Sequence, residues 1–332
     1  MKTTELGSTG ISCSVLGFGC SAMLGRAGRR DSLRALGAAW DSGITLYDTA
    51  RSYGFGESET LLGQFLTTRR HQAVVSTKFG IVPVRPPFWK RMAKPAARAV
   101  ISLAPSMRAA VRKQAGPQFT EGQFTLAVLE ESIHLSLRKL RTDYVDLLFL
   151  HGAPASVLDQ DDLLAAMDRL VSAGKVRAAG ISADPEVIGL AVERASRPLQ
   201  VLQFPCNIFD SSAPEQIESL QKAAPAATAF GAIANHPFGG VARVQQSREI
   251  LARIAAAPDL DPVLRGKLGD IEDGVLSDVV LNLVLSHPSI HAVVPAMMQL
   301  PHLEKNVAAV TDSRFTPKEL AAIQLRIAAS SN

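Results

Sequence analysis

The 332 residues are 47% hydrophobic, enough to bury the core of one barrel-sized domain or of two smaller ones. Lysine and arginine number 35 against 31 acidic residues, and a net charge of +4 describes a mixed surface, so nucleic acid is not an expected partner. The three cysteines, Cys13, Cys20 and Cys206, are widely spaced with no CxxC pair, and the N-terminus is polar with no apolar run long enough to span a bilayer, so a cytoplasmic protein without metal or disulfides is expected.

Short apolar runs, each ending in a polar or turn residue, alternate along the chain with segments of helical period. The runs are 15–19, 44–49, 73–78, 146–151, 176–182, 201–206, 228–235 and 291–295. After the first, Asp31 or Ser32 is placed to cap a helix through Trp40, which Asp41-Ser42-Gly43 ends. After the third, residues 80–120 carry eight basic side chains from Arg85 to Lys113 and no acidic one, long for a βα loop. This insertion reads as a lid over a catalytic face, with Phe88, Trp89, Met92 and Met107 shaping a pocket. The Phe88-Trp89-Lys90-Arg91 stretch also leaves weak contact with an anionic membrane surface open. Residues 241–276, after the seventh run, read as an irregular loop punctuated by Asp259, Asp261 and Pro262. Thr316-Pro317 opens a last helix, with proline at its tolerated first position.

Eight strands alternating with helices predict an α/β protein, and no glycine- or serine-rich linker divides it, so residues 1–332 form a single domain. The first run leads into Gly17-Phe18-Gly19-Cys20, which has neither the spacing nor the helix of a Rossmann fingerprint. A (β/α)8 TIM barrel is therefore expected, and in such a barrel catalytic groups come from the C-terminal ends of several strands. Asp48 closes the second run, Tyr53 follows in the loop, Lys78 closes the third and His151 the fourth.

Those four residue types fit the reduction of a carbonyl, which needs a proton for the oxygen as hydride reaches the carbon. Tyr53 is the candidate acid, with an ordinary pKa of about 10 that a neighbouring Lys78 ammonium would lower. Asp48 would pair with Lys78, and His151 would orient the substrate oxygen. His236 reads as a hydrogen-bonded structural histidine and Cys20 as a small packing residue. A metal-dependent hydrolase built on Asp48, His151 and His236 lacks any HxH or HExxH spacing, and Lys78 would repel the cation.

The stretch from Asp48 through Tyr53-Gly-Phe-Gly-Glu57-Ser-Glu59 and the approach Leu137 to His151 resemble two motifs of the aldo-keto reductases. Gly174-Lys175-Val176-Arg177, Gly180-Ile181-Ser182, Gln203 with Asn207, and Val294 through Asn306 resemble further stretches of that family, in order and over nearly the whole chain. The resemblance implies an oxidoreductase with Asp48, Tyr53, Lys78 and His151 as its catalytic tetrad. It implies NADP(H) or NAD(H) across the barrel mouth, touched by Gly19, Cys20, Asp48, Ser182, Gln203, Asn235, Pro237, Phe238, Met298, His302 and Asn306. The implied substrate is a small carbonyl or alcohol. Ala296, Met298 and His302 stand where many members carry cations for the 2′-phosphate, Asn235 replaces a nicotinamide-stacking tyrosine, and Ala183 replaces an asparagine. The alternative that these departures leave is a non-catalytic nicotinamide-binding sensor or regulatory protein on the same fold.

Overall fold

The computed structural model describes residues 1–25, 27–83, 119–194, 198–209, 212–223 and 229–330. Eight parallel strands follow one another around a barrel in chain order: β1 (Phe18–Gly19), β2 (Leu46–Asp48), β3 (Val74–Phe79), β4 (Val145–His151), β5 (Val176–Ser182), β6 (Leu199–Pro205), β7 (Gly231–Asn235) and β8 (Ala292–Val294). Every run expected from the sequence overlaps one of them, though β3, β4 and β6 each extend one or two residues past it. The seam closes where Leu16 bridges Val293 in parallel, with Gly17 N–H donating to Val293 O at 2.8 Å and Gly19 N–H to Pro295 O at 3.0 Å. Helices α1 (Arg29–Asp41), α2 (Ser58–Leu66), α3 (Leu126–Leu140), α4 (Asp161–Ser172), α5 (Pro185–Glu193) and α6 (Ser212–Ala223) each follow the strand of the same number.

Period-two alternation of side chains sorts each strand into an inward and an outward face. Leu46, Val74, Leu147, Phe149, Ala178, Val201, Ile233, Ala292 and Val294 fill the interior of the barrel. An antiparallel hairpin, Thr3–Glu5 against Ser12–Ser14, closes the floor with Leu6, Ile11 and the buried Cys13. Gly180 has no side chain because a Cβ there would come within 2.3 Å of Val201 O and 2.6 Å of the Phe149 ring. Above this plug, the same alternation turns Asp48, Lys78, His151, Ser182, Gln203 and Asn235 inward at the C-terminal ends of their strands.

Two expectations need correction. The stretch 241–276 is helical rather than irregular, forming α7 (Val241–Ala256) and α8 (Pro262–Leu268) ahead of α9 (Asp273–Leu285). Ile250, Leu251 and Ile254 pack with Leu264, Leu268, Val279 and residues of the last helix in a second core. Asp261 and Pro262, which read as breakers, start α8: the Asp261 carboxylate accepts from Val263 N–H at 2.8 Å and Leu264 N–H at 3.1 Å, and proline takes the first turn. Helix α1 begins at Arg29 after Gly28, so Asp31 and Ser32 lie inside it rather than capping it. The basic insertion's lid reading, with Arg85, Phe88, Trp89, Lys90, Arg91, Met92, Met107 and Lys113, lies outside the described residues; its flanks Val82–Pro83 and Phe119–Thr120 pair antiparallel.

After β8 the chain forms α10 (Leu300–Thr311) and α11 (Pro317–Ser330). The Thr316 hydroxyl accepts from Glu319 N–H at 3.3 Å while the Glu319 carboxylate accepts from Thr316 N–H at 2.7 Å, a reciprocal cap at the expected start. Among the described residues no helix is long and apolar enough to cross a membrane.

Candidate active site

Asp48, at the end of β2, is buried and carries the densest polar contacts of the mouth. Its Oδ1 accepts from Lys78 Nζ at 2.6 Å, Ser76 Oγ at 2.6 Å and Gln203 Nε2 at 3.0 Å. Lys78, itself 1% exposed, also donates to Thr49 O at 3.0 Å. Ser182 Oγ donates to Gln203 Oε1 at 2.9 Å, so one chain of hydrogen bonds links β5, β6, β2 and β3. Ser76 is a partner that the sequence reading missed; lying two residues before Lys78 on the same face of β3, it was findable from period-two spacing.

Tyr53 opens a 3-10 turn, Tyr53–Gly56, between β2 and α2, and the Lys78 ammonium lies over its ring, with Nζ 5.1 Å from the ring centre. His151 meets that ring edge-on, with centroids 5.9 Å apart and planes at 83°. The four residues expected to act together are thus brought together.

Their electrostatics follow from low dielectric and close charge. Burial pushes the Tyr53 phenol above its ordinary value and Lys78 pulls it back down; burial wins, so the lowering expected from lysine alone is only a partial offset. Burial also opposes the Lys78 charge, but Asp48 and Tyr53 outweigh it and hold the ammonium above the ordinary lysine value. For His151, burial and the Lys78 charge act in the same direction and push the pKa down to about 3, so the imidazole is neutral at physiological pH. Its Nδ1 is buried with no partner.

The residues expected around a cofactor occupy an arc of the same rim. His151 registers with Ser182, Ser182 with Gln203, Asn235 with Val294, and Gly19 with both Asp48 and Ala296 across the seam. A Cβ on Gly19 would approach Pro295 O to 2.8 Å, so the strand ends meet closely there. Cys20 N–H donates to Asp48 O at 2.9 Å, and burial pushes its thiol far up, as suits a packing residue. Asn235 is half-buried, its Oδ1 2.9 Å from Nδ1 of His236, which is exposed and left-handed at φ 50°. Pro237 is buried and Phe238 half-buried against both hydrophobic cores. Met298 is half-buried just ahead of α10, and within the helix's first two turns His302 is exposed and Asn306 buried. Lys305, in the same helix, is engaged by Asp273 at 3.1 Å. No cluster of metal-ligating side chains is present among the described residues.

A model of the aldo/keto reductase family matches residues 15–326. The chain is 30% identical over 225 residues to the aldo-keto reductase YhdN of Bacillus subtilis, covering 65% of this chain and 57% of that protein. It is 24% identical over 329 residues to the oxidoreductase YqkF of the same organism, covering 98% and 96%. An aldo-keto reductase from Bacillus halodurans, solved in its holo form, superposes with a TM-score of 0.70 at 23% identity, covering 98% of this chain and 96% of that one.

Proposed function

The chain belongs to the aldo/keto reductase family, whose members carry out NAD(P)H-dependent reduction of carbonyls, and on that premise we propose that it interconverts an aldehyde or ketone and its alcohol with Tyr53 as general acid and base. The observation that carries this reading is the convergence of Asp48, Tyr53, Lys78 and His151 at one barrel mouth.

The rim suits a nicotinamide dinucleotide. Ser182 and Gln203 offer the hydroxyl and amide that a carboxamide needs, and Gln203 keeps one N–H and one lone pair beyond its bonds to Asp48 and Ser182. At the far end, Ala296, Met298 and His302 supply no permanent cation, and Lys305 is already paired, so strong selection for a 2′-phosphate is not expected and NAD(H) joins NADP(H) as cofactor. Bound here, a reduced nicotinamide supplies the hydride that reaches the carbonyl carbon.

The protein's own share is protons and charge. Neutral His151 donates a hydrogen bond to the substrate oxygen and fixes its place. Tyr53 is protonated at neutral pH and gives its proton to that oxygen, and Lys78 stabilises the phenolate left behind. Asp48, held by Ser76 and Gln203, keeps Lys78 from leaving. Tyr53→Phe is expected to lower turnover by about two to four orders of magnitude while NADH and NADPH still bind by fluorescence titration. Comparable turnover in that variant would remove the mechanism, and wild-type binding without turnover across a broad carbonyl panel would replace it with the sensor reading.

A further inference from the structure

We propose that Glu59 and Thr77 are positioning residues which clamp the Tyr53 turn against Lys78 from outside the barrel. The inference rests on Tyr53 as the acid.

Each strand that carries a partner of Tyr53 presents the adjacent residue to its opposite face. Thr49 follows Asp48, Thr77 precedes Lys78, and both threonines are fully buried. Their hydroxyls reach consecutive residues in the first turn of α2. Thr77 Oγ1 donates to Glu59 Oε1 at 2.7 Å, and Thr49 Oγ1 lies 2.9 Å from Ser58 Oγ. Glu59 is 1% exposed and Ser58 fully buried, so water does not compete for either bond. The chain between Tyr53 and these anchors is a short strained turn, closed by Glu57 N–H donating to Gly54 O at 3.2 Å and tied by the Lys139 ammonium donating to Gly56 O. Gly54, Phe55 and Gly56 are all left-handed, at φ 60°, 58° and 86°, and phenylalanine holds that conformation only against its steric preference.

Glu59 also bears an unexplained cost. Its Oε2 is buried without a partner, where an apolar side chain would avoid the desolvation penalty. The hydrogen bond to Thr77 is what the carboxylate provides. Among the described residues, the charged and titratable groups that face Tyr53 are Lys78, Asp48, Cys20 and the edge of His151, with Glu59 on the other side of β3. Glu59 therefore acts through geometry and not through its charge.

The test separates these. Thr77→Val removes the hydroxyl at nearly constant volume, and kcat is expected to fall about tenfold with KM for the carbonyl and Kd for NADH within about twofold. As Lys78 loses its grip on the phenol, the pH profile of alcohol oxidation should move alkaline by several tenths of a unit or more, roughly. Thr77→Ser restores the donor and Glu59→Gln keeps an oxygen acceptor without the charge; both should return the wild-type profile. Ser58→Ala, which deletes one oxygen from the second tie, should shift the profile in the same direction and stands in if Thr77→Val does not fold. A wild-type kcat and profile in Thr77→Val or, failing that, in Ser58→Ala, or a shifted profile in Glu59→Gln, overturns the clamp. If Tyr53→Phe itself keeps its turnover, the failure belongs to the assignment of the acid instead.

Discussion

Two buried carboxylates on neighbouring parts of the barrel, Asp48 and Asp146, show how the same expensive group serves different ends. Asp146, near the start of β4, is 1% exposed and faces outward. It accepts from Arg70 at 2.7 Å, Arg177 at 2.8 Å and Val75 N–H at 2.9 Å, and Arg70 in turn stacks on Tyr144 and donates to Tyr144 O and Ala73 O. Its hydrogen-bond partners are all guanidinium or backbone, and none of them reaches the mouth. Asp48 faces inward and holds an ammonium that lies over the Tyr53 ring. Guanidinium fixes strands, whereas the more compact lysine passes an electrostatic influence onward to a reacting group.

The sharpest way to break that contrast is to remove one cation from each centre. Lys78→Met should lower turnover by about two orders of magnitude or more and also strand the Asp48 charge. Adding Asp48→Asn to it should recover stability in urea but no turnover, because the fold needs neutrality there and the chemistry needs the ammonium. At the other centre, Asp146→Ala leaves Arg70 without its carboxylate and is expected to cost about 3 kcal/mol by chemical denaturation, with kcat within about twofold. A large kcat loss in that variant would erase the distinction between the two sites.

The smallest expected effect is one of pH. His151 ionises only near pH 3, so carbonyl reduction at saturating substrate should stay flat between about pH 5 and 8 rather than tracking an ordinary histidine. The linkage has a definite sign. An unfolded chain takes up the proton near 6.5 while the folded one resists to about 3, so stability is full above 6.5 and is lost as pH falls through that window. The urea midpoint of wild type should therefore drop more between pH 7 and 4 than that of His151→Asn.

Most of the architecture was legible because hydrophobic period and strand-end polarity carry it. Asp48, Lys78 and His151 each terminate an apolar run, which placed them on one rim before any geometry was known. Helices α7 and α8 were hidden by Asp261-Pro262, a pair that ends one element and starts another with identical chemistry. The start of α1 escaped because Gly28 has no side chain with which to cap. Glu59 is visible in the motif around Tyr53, but its meaning depends on Thr77, eighteen positions away and on the reverse side of a strand. Nothing in local spacing announces such a contact. The net rise of the Tyr53 pKa was equally out of reach, since it depends on how completely the loop excludes water.

The three thiols have a practical corollary. Cys13 is pushed up to about 12 by burial, Cys20 higher still, and Cys206 is 3% exposed. Maleimides and mild oxidants attack thiolate, so at neutral pH they would find little to react with in the native protein. One cysteine introduced at Val241, which is 86% exposed at the head of α7, would then be an addressable handle for a fluorophore or spin probe beside the barrel mouth, with no native cysteine needing to be stripped first.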